Sequence, residues 1–214
     1  MADQSDVFLP KARLLIATSN AGKVAEFRDL LADSGWQVVS PEEIGLDLEV
    51  EETGSTYAEN ARLKAEAFSR ASGLAALADD SGLEVDALKG EPGALHHRHG
   101  WDGRDQEERI RILLDALKDV PAPQRTARFR AAIVVVLAGG EVIEAEGGGE
   151  GVIATQRSGS EGFGYDPVFV LPHLGKTMAD LGIEEKNRVS HRAAAAVKIR
   201  QRLQILATSE HRIV

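Results

Sequence analysis

The chain has 214 residues, 43% of them hydrophobic, which is enough to bury one substantial core. Asp and Glu outnumber Lys and Arg by 34 to 25, and the net charge of −9 argues against non-specific DNA or RNA binding, because a polyanion would meet an acidic surface. There is no cysteine, hence no disulfide framework and no thiol chemistry, and no apolar run reaches membrane-spanning length; this composition fits a cytoplasmic enzyme with no membrane partner.

Residues 1–11 carry Asp3 and Asp6 and lack an apolar h-region, which predicts a short disordered tail rather than a signal peptide. Residues 12–214 read as a single domain. Its first element is the apolar run Leu14-Leu15-Ile16, followed by Ala17, the polar loop Thr18-Ser19-Asn20-Ala21-Gly22-Lys23, and then Val24, Phe27, Leu30 and Leu31 at helical spacing. Strand, loop and helix in that order aim backbone N–H groups and a helix N-terminus at one point, and Lys23 adds a positive charge suited to phosphate oxygens. A Walker A loop would need glycine in place of Ala17 and Ser or Thr in place of Val24, so the P-loop mechanism is not indicated. An ordinary strand-to-helix turn with a surface lysine is the plain alternative.

Next, Thr56 and Glu59 have capping-box spacing and mark a helix start, on which Asn60 and Lys64 share a face. Glu51 and Glu52 lie just before it, as candidate oxygen ligands for a hard cation such as Mg²⁺ or as simple solvated charge.

The densest signal follows in Leu77-Ala78-Asp79-Asp80-Ser81-Gly82-Leu83. Leu74 to Ala78 reads as a short buried strand delivering both acids to its carboxyl end, where open α/β sheets bind ligands; an Asx-type turn closing the strand fits the same residues. Adjacent strand residues face opposite ways, so one acid serves chemistry, assigned to Asp80, and the other structure.

Further on, Ile110, Leu113, Leu114 and Leu117 form one apolar helix face, Pro121 and Pro123 mark a boundary, and Ala127 to Ala138 reads as a strand. Gly139-Gly140 signals a two-residue hairpin turn, with Glu141 to Glu146 pairing back antiparallel, and Gly147-Gly148-Gly149 a bend or a close backbone approach. The sheet is therefore mixed. The C-terminal part holds Phe163-Gly164-Tyr165-Asp166-Pro167, Lys186, and Ser190-His191-Arg192 opening an alanine-rich helix. Aromatic rings beside glycines offer a base a stacking surface, and Ser190 as N-cap places His191 and Arg192 at the positive helix end.

Taken together, "ATSNAGK" (17–23), "EETGSTYAENARLKA" (51–65), "ADDSGLEVDAL" (78–88), "GEPG" (90–93), "GFGYDPVF" (162–169) and "EEKNRVSHR" (184–192) make the chain resemble the inosine triphosphate pyrophosphatase family from Leu14 to Leu206. The resemblance implies Mg²⁺-dependent hydrolysis of ITP, dITP and XTP to the monophosphate and pyrophosphate, on an α/β fold: an elongated mixed sheet flanked by helices, two lobes with the active-site cleft between them, usually a homodimer. It implies that Thr18, Ser19, Asn20, Ala21, Gly22 and Lys23 form the phosphate loop, that Glu51 and Asp80 hold the metal, and that Asp80 is the base. Lys64, Ser81, Phe163, Gly164, Tyr165, Asp166, Lys186, His191 and Arg192 are implied as the remaining substrate contacts. The sequence departs from the family at Ala94-Leu95-His96-His97-Arg98-His99, where relatives usually carry an aromatic residue; with no cysteine to help close a transition-metal site, a loop or subunit contact is the expectation for this histidine cluster.

The mechanism that follows has Lys23, Lys64 and backbone amides steadying the pyrophosphate leaving group and Asp80 orienting or deprotonating water. Two other readings share these residues: a sister pyrophosphatase for other modified nucleotides, and a nucleotide sensor without turnover.

Overall fold

The computed structural model describes residues 11–94 and 105–210. Among these the strands are β1 (Arg13–Ile16), β2 (Gln37–Val39), β3 (Ala75–Val85), β4 (Thr126–Val136), β5 (Val142–Ile153), β6 (Phe169–Leu171) and β7 (Lys176–Thr177). The α-helices are α1 (Ala21–Leu30), α2 (Tyr57–Ser72), α3 (Gln106–Ala116), α4 (Ile183–Val189) and α5 (His191–Glu210). The strands form one mixed seven-stranded sheet in the order β2-β1-β3-β4-β5-β6-β7, parallel across β2, β1 and β3 and antiparallel beyond.

Three apolar clusters hold the sheet to its helices. Phe27, Leu30 and Leu31 at α1, with Ile199 and Leu203 of α5, cover Leu14, Ile16, Leu77, Ile133 and Val135 on one face. Ala61, Ala65 and Phe68 of α2 cover Leu15, Ala76, Ala78, Val134 and Val136 on the other. At the far end, Ile110 and Leu113 of α3 close on Leu83, Val85, Phe129, Val168 and Phe169. The period-2 alternation of β3 and β4 explains the first two clusters, and full burial of each large side chain contributes about 1.5–3 kcal/mol. Asp79, Asp80 and Ser81 interrupt β3 between the core at one end of the sheet and the core at the other, so the two lobes meet at these residues.

Three elements differ from the sequence reading. The acids do not terminate a strand: β3 runs on to Val85 because β4 pairs with it antiparallel from Ala76 to Val85, and this ladder overrides the turn propensity of Asp-Ser-Gly. What ends near Ala78 is the parallel partner, since β1 pairs only with Ala75 to Leu77 and its chain then turns into the polar loop. The hairpin loop spans residues 138–140, closed by Leu137 N–H donating to Glu141 O at 2.9 Å, with Gly140 at φ +86°. Finally, β5 continues through Gly147-Gly148-Gly149 to Ile153, which makes these glycines a close approach and not a bend. A Cβ at Gly147 would stand 2.2 Å from His191 O and 2.6 Å from Ala195 N, so the bare strand lets the alanine-rich start of α5 sit directly on the sheet. The anticipated helices at α1, α2, α3 and α5 are all present.

The tail, apart from Lys11, and the cluster of His96, His97 and His99 lie outside the described residues.

Candidate active site

Two helix starts and the middle of β3 bring the chemistry together. Asn20 caps α1, its side chain accepting from Lys23 N–H at 3.1 Å, and this fixes the first turn from which Lys23 reaches β3. Thr56 and Glu59 form the anticipated capping box on α2. One turn in, Asn60 Nδ2 donates to Asp80 Oδ2 at 3.3 Å and Lys64 Nζ to Asp80 Oδ1 at 3.2 Å. The two acids face opposite sides of the sheet, Asp80 towards α2 and Asp79 towards α1 and α5.

The two lysines converge on one backbone oxygen: Asp79 O accepts from Lys64 Nζ at 3.1 Å and from Lys23 Nζ at 3.3 Å. Lys64 Nζ also lies 2.7 Å from Glu52 Oε1. Burial works against the charge on Lys64, but Asp80 and Glu52 outweigh it and hold the ammonium above its ordinary pKa. Burial pushes the Asp80 carboxyl above its ordinary value, opposed by Lys64 and reinforced by the charge of Glu52.

On the other side an alternating chain of buried charges runs from α1 to the Phe163 loop. Asp79 Oδ2 meets Lys23 Nζ at 2.8 Å and Arg192 Nη2 at 3.0 Å; Arg192 continues to Glu26, and Glu26 Oε1 meets Lys186 Nζ at 2.8 Å. Lys186 ends on Asp166 Oδ2 at 2.6 Å, whose same oxygen accepts from Phe163 N–H at 2.9 Å. Three acids and three cations balance, which is what makes so much charge tolerable out of water. Burial alone would raise Asp79, but Arg192 and Lys23 hold it well below the usual carboxylate range. For Asp166 burial prevails over Lys186, and its pKa is raised. Gly162, at φ +75°, leaves this turn room: a Cβ there would stand 2.2 Å from Asp166 Oδ2.

Above this chain lies a pocket of about 190 Å³ whose lining includes Asn20, Lys23, Ser81, Phe163, Gly164, Tyr165, Asp166, Lys186, His191 and Arg192, which were anticipated from the sequence, and also Gly82, Leu83, Pro92, Gly93, Phe129 and Arg109, which were not. The Phe163 ring lies against Gly22, with Lys186 Nζ 4.7 Å and Arg192 Cζ 5.3 Å from its centroid. His191 stacks on Phe129 at 4.6 Å. Burial, then Arg192, keep its imidazole well below the ordinary histidine pKa, so it is neutral, and among the described residues Nδ1 has no hydrogen-bond partner.

Not every anticipated residue converges. Thr18, Ser19 and Ala21 open instead onto a neighbouring groove beside Ser40, Pro41 and Leu46. Glu51, the anticipated partner of Asp80, has an exposed side chain, and its neighbour Glu52 is the one beside Lys64. Asp79 and Glu26 were not anticipated as part of the site. For Glu26 a signal existed, since it falls on the stripe of Lys23, Phe27 and Leu30 that α1 turns inward.

The donors at Asp80 and Glu52 are carboxylate oxygens, which suit a hard cation. Among the described residues no group of three or more His, Cys, Asp or Glu side chains forms a metal cage. Two carboxylates completed by phosphate oxygens and water are the set Mg²⁺ takes in phosphoryl-transfer sites, so the residues fit that ion.

The sequence model of the Ham1 family matches residues 14–202, a span that contains every residue of this site. The chain belongs to the Ham1 family. It is 46% identical over 190 residues to the dITP/XTP pyrophosphatase of Bacillus subtilis (strain 168), covering 89% of this chain and 96% of that one. It is 47% identical to the dITP/XTP pyrophosphatase of Symbiobacterium thermophilum, covering 92% and 98%. The solved structure of the Staphylococcus aureus Ham1 protein superposes with a TM-score of 0.77 at 40% identity, covering 90% and 98%. The Ham1 fold thus accounts for the mixed sheet, and the α/β architecture anticipated from the sequence is the one present.

Proposed function

We propose that this Ham1 protein hydrolyses the 6-oxo purine nucleoside triphosphates ITP, dITP and XTP to the monophosphate and pyrophosphate, with Mg²⁺, and so cleanses the nucleotide pool. The single observation that carries the reading is the convergence of Lys23 and Lys64 on Asp79 O beside the Asp80 carboxylate, at the edge of a pocket built from an aromatic ring, a neutral histidine and an arginine. The names of the relatives point the same way.

A triphosphate brings several negative charges, which Lys23, Lys64 and the N–H groups at the start of α1 offset. Glu52 and Asp80 would hold Mg²⁺, which supplies further charge neutralisation of the phosphates. Asp80 orients the attacking water and takes its proton. Lys64 keeps the displaced pyrophosphate charge-compensated.

In the pocket, Phe163 offers a stacking surface, and Arg192 and His191 offer polar groups to the 6-oxo edge. An adenine amino group placed there leaves the arginine N–H groups facing another donor, an unsatisfied arrangement in a buried site. A homodimer and a cytoplasmic setting belong to the same reading; among the described residues no helix is long and apolar enough to cross a membrane.

The test is pyrophosphate release from ITP, dITP, XTP, ATP, GTP and dTTP with and without Mg²⁺. Mg²⁺-dependent release restricted to the first three, and lost in Asp80→Asn, is the expected result. Equal turnover of ATP and GTP sinks the proposal, and tight binding without release replaces it with the sensor.

A further inference from the structure

Asp79 is a buried acid whose side chain has no task in the mechanism above. Its side chain is 1% exposed, and it sits on the face of β3 opposite Asp80. Among the described residues its side-chain contacts go to one oxygen: Oδ2 meets Lys23 Nζ at 2.8 Å, Arg192 Nη2 at 3.0 Å, Ser81 Oγ at 3.2 Å and Arg192 Nε at 3.3 Å, while Oδ1 has no hydrogen-bond partner there. Its carbonyl holds Lys64 and Lys23 as well. A buried carboxylate placed only to balance charge needs one cation. This one grips two, from helices at opposite ends of the chain, and each belongs to a different part of the substrate site.

Glu26 grips Arg192 too, but it joins the arginine to Lys186 rather than to Lys23. We propose that Asp79 is a positioning residue that holds the phosphate-binding Lys23 and the base-reading Arg192 in one frame, so that phosphate affinity and base discrimination depend together on a single carboxylate. The proposal rests on the substrate reading above. Its physical basis is that two cations brought within reach of one oxygen repel each other once the negative charge is removed, most strongly where water is excluded. Lys23 and Arg192 then separate, and the ligand must order both again.

The experiment measures binding of pyrophosphate, IMP and AMP by calorimetry to the wild type and to Asp79→Asn, Lys23→Met and Arg192→Met. Lys23→Met weakens chiefly pyrophosphate and Arg192→Met erodes chiefly the preference for IMP over AMP, each with a smaller loss of the other because both residues share the Asp79 carboxylate. Asp79→Asn weakens pyrophosphate by about tenfold and erodes the IMP preference by about tenfold as well. An Asp79→Asn variant that shifts only one of these, or that loses folded protein while the remainder binds like wild type, overturns the proposal.

Should Asp79→Asn not fold, a double-mutant cycle with Lys23→Met and Arg192→Met, read by binding of a non-hydrolysable ITP analogue, decides the matter in its place. The two losses are expected to miss additivity by about fivefold or more, and additivity within about twofold overturns the proposal. A wild type that prefers AMP over IMP overturns the substrate reading alone, because the same cycle is then run with the ATP analogue.

Discussion

The Glu52 carboxylate accepts from Lys64 at 2.7 Å, and the same ammonium reaches Asp80 at 3.2 Å, so the lysine spans the two acids that face α2. If these two acids hold Mg²⁺, Glu52→Gln raises the Mg²⁺ concentration needed for half-maximal ITP hydrolysis by about tenfold or more, whereas Glu51→Gln leaves it within about twofold. A Mg²⁺ titration of the two variants reads this directly. The opposite ranking would return the ligand role to Glu51.

Asp80→Asn keeps the shape of the side chain and its contact with Asn60 but removes the proton acceptor. Turnover is expected to fall by about 10²–10⁴-fold with pyrophosphate affinity partly retained, since Lys23 and Lys64 stay in place. Steady-state kinetics with pyrophosphate as inhibitor separate the two quantities, and near-normal turnover rules Asp80 out as the base.

The elements that position the site were legible where a local rule decides them. Asn20, Thr56 and Ser190 cap their helices because a short polar side chain meets an otherwise unpaired N–H, and that signature is written in the sequence. The course of β3 was not legible, because Asp-Ser-Gly favours a turn and only the distant β4 ladder holds it extended. Neither was the choice between Glu51 and Glu52, since in an irregular loop no periodicity says which of two neighbours turns inward. The buried charge chain was half legible: Lys186, Asp166 and Arg192 carry family motifs, while Asp79 and Glu26 are recognised only through the cations they meet.

That chain makes a strong prediction about stability. Lys186 lies between Glu26 and Asp166 with 4% of its side chain exposed, so Lys186→Met leaves two buried carboxylates to share what remains. Removing one partner of such a set costs about 3–5 kcal/mol, read as a shift of the urea midpoint at pH 7. Arg62→Met, which breaks an exposed pair with Glu66 on α2, is the control and leaves the midpoint essentially where it was. Equal shifts in the two variants would deny the buried chain its weight.

Gly147→Ala tests how α5 is seated. The new methyl meets His191 O at 2.2 Å and Ala195 N at 2.6 Å, both backbone atoms that move only if the helix moves. The expected cost is about 1–3 kcal/mol, accompanied by weaker nucleotide binding, because His191 and Arg192 ride on the displaced first turn. Gly139→Ala, where a Cβ meets nothing within 4 Å, changes neither. Loss of stability without loss of binding would show that α5 shifts as a whole and carries its pocket with it.

The neutral state of His191 gives stability a pH dependence whose sign can be worked out. Its folded pKa lies well below the ordinary 6.5 because burial, and then Arg192, disfavour the imidazolium. Between the two values the unfolded chain binds a proton that the folded chain refuses, so stability rises with pH across this window and is lost as pH falls below about 6.5. Each pH unit below that point costs up to about 1.4 kcal/mol from this group alone. His191→Phe keeps the ring stacked on Phe129 without a titrating nitrogen, and the difference in urea midpoint between wild type and variant isolates the contribution from the other histidines. The wild type is expected to lose stability relative to His191→Phe on going from pH 7.5 to pH 5.5. A difference that stays constant over that range would mean that the buried imidazole accepts its proton in the folded state as readily as in the unfolded one.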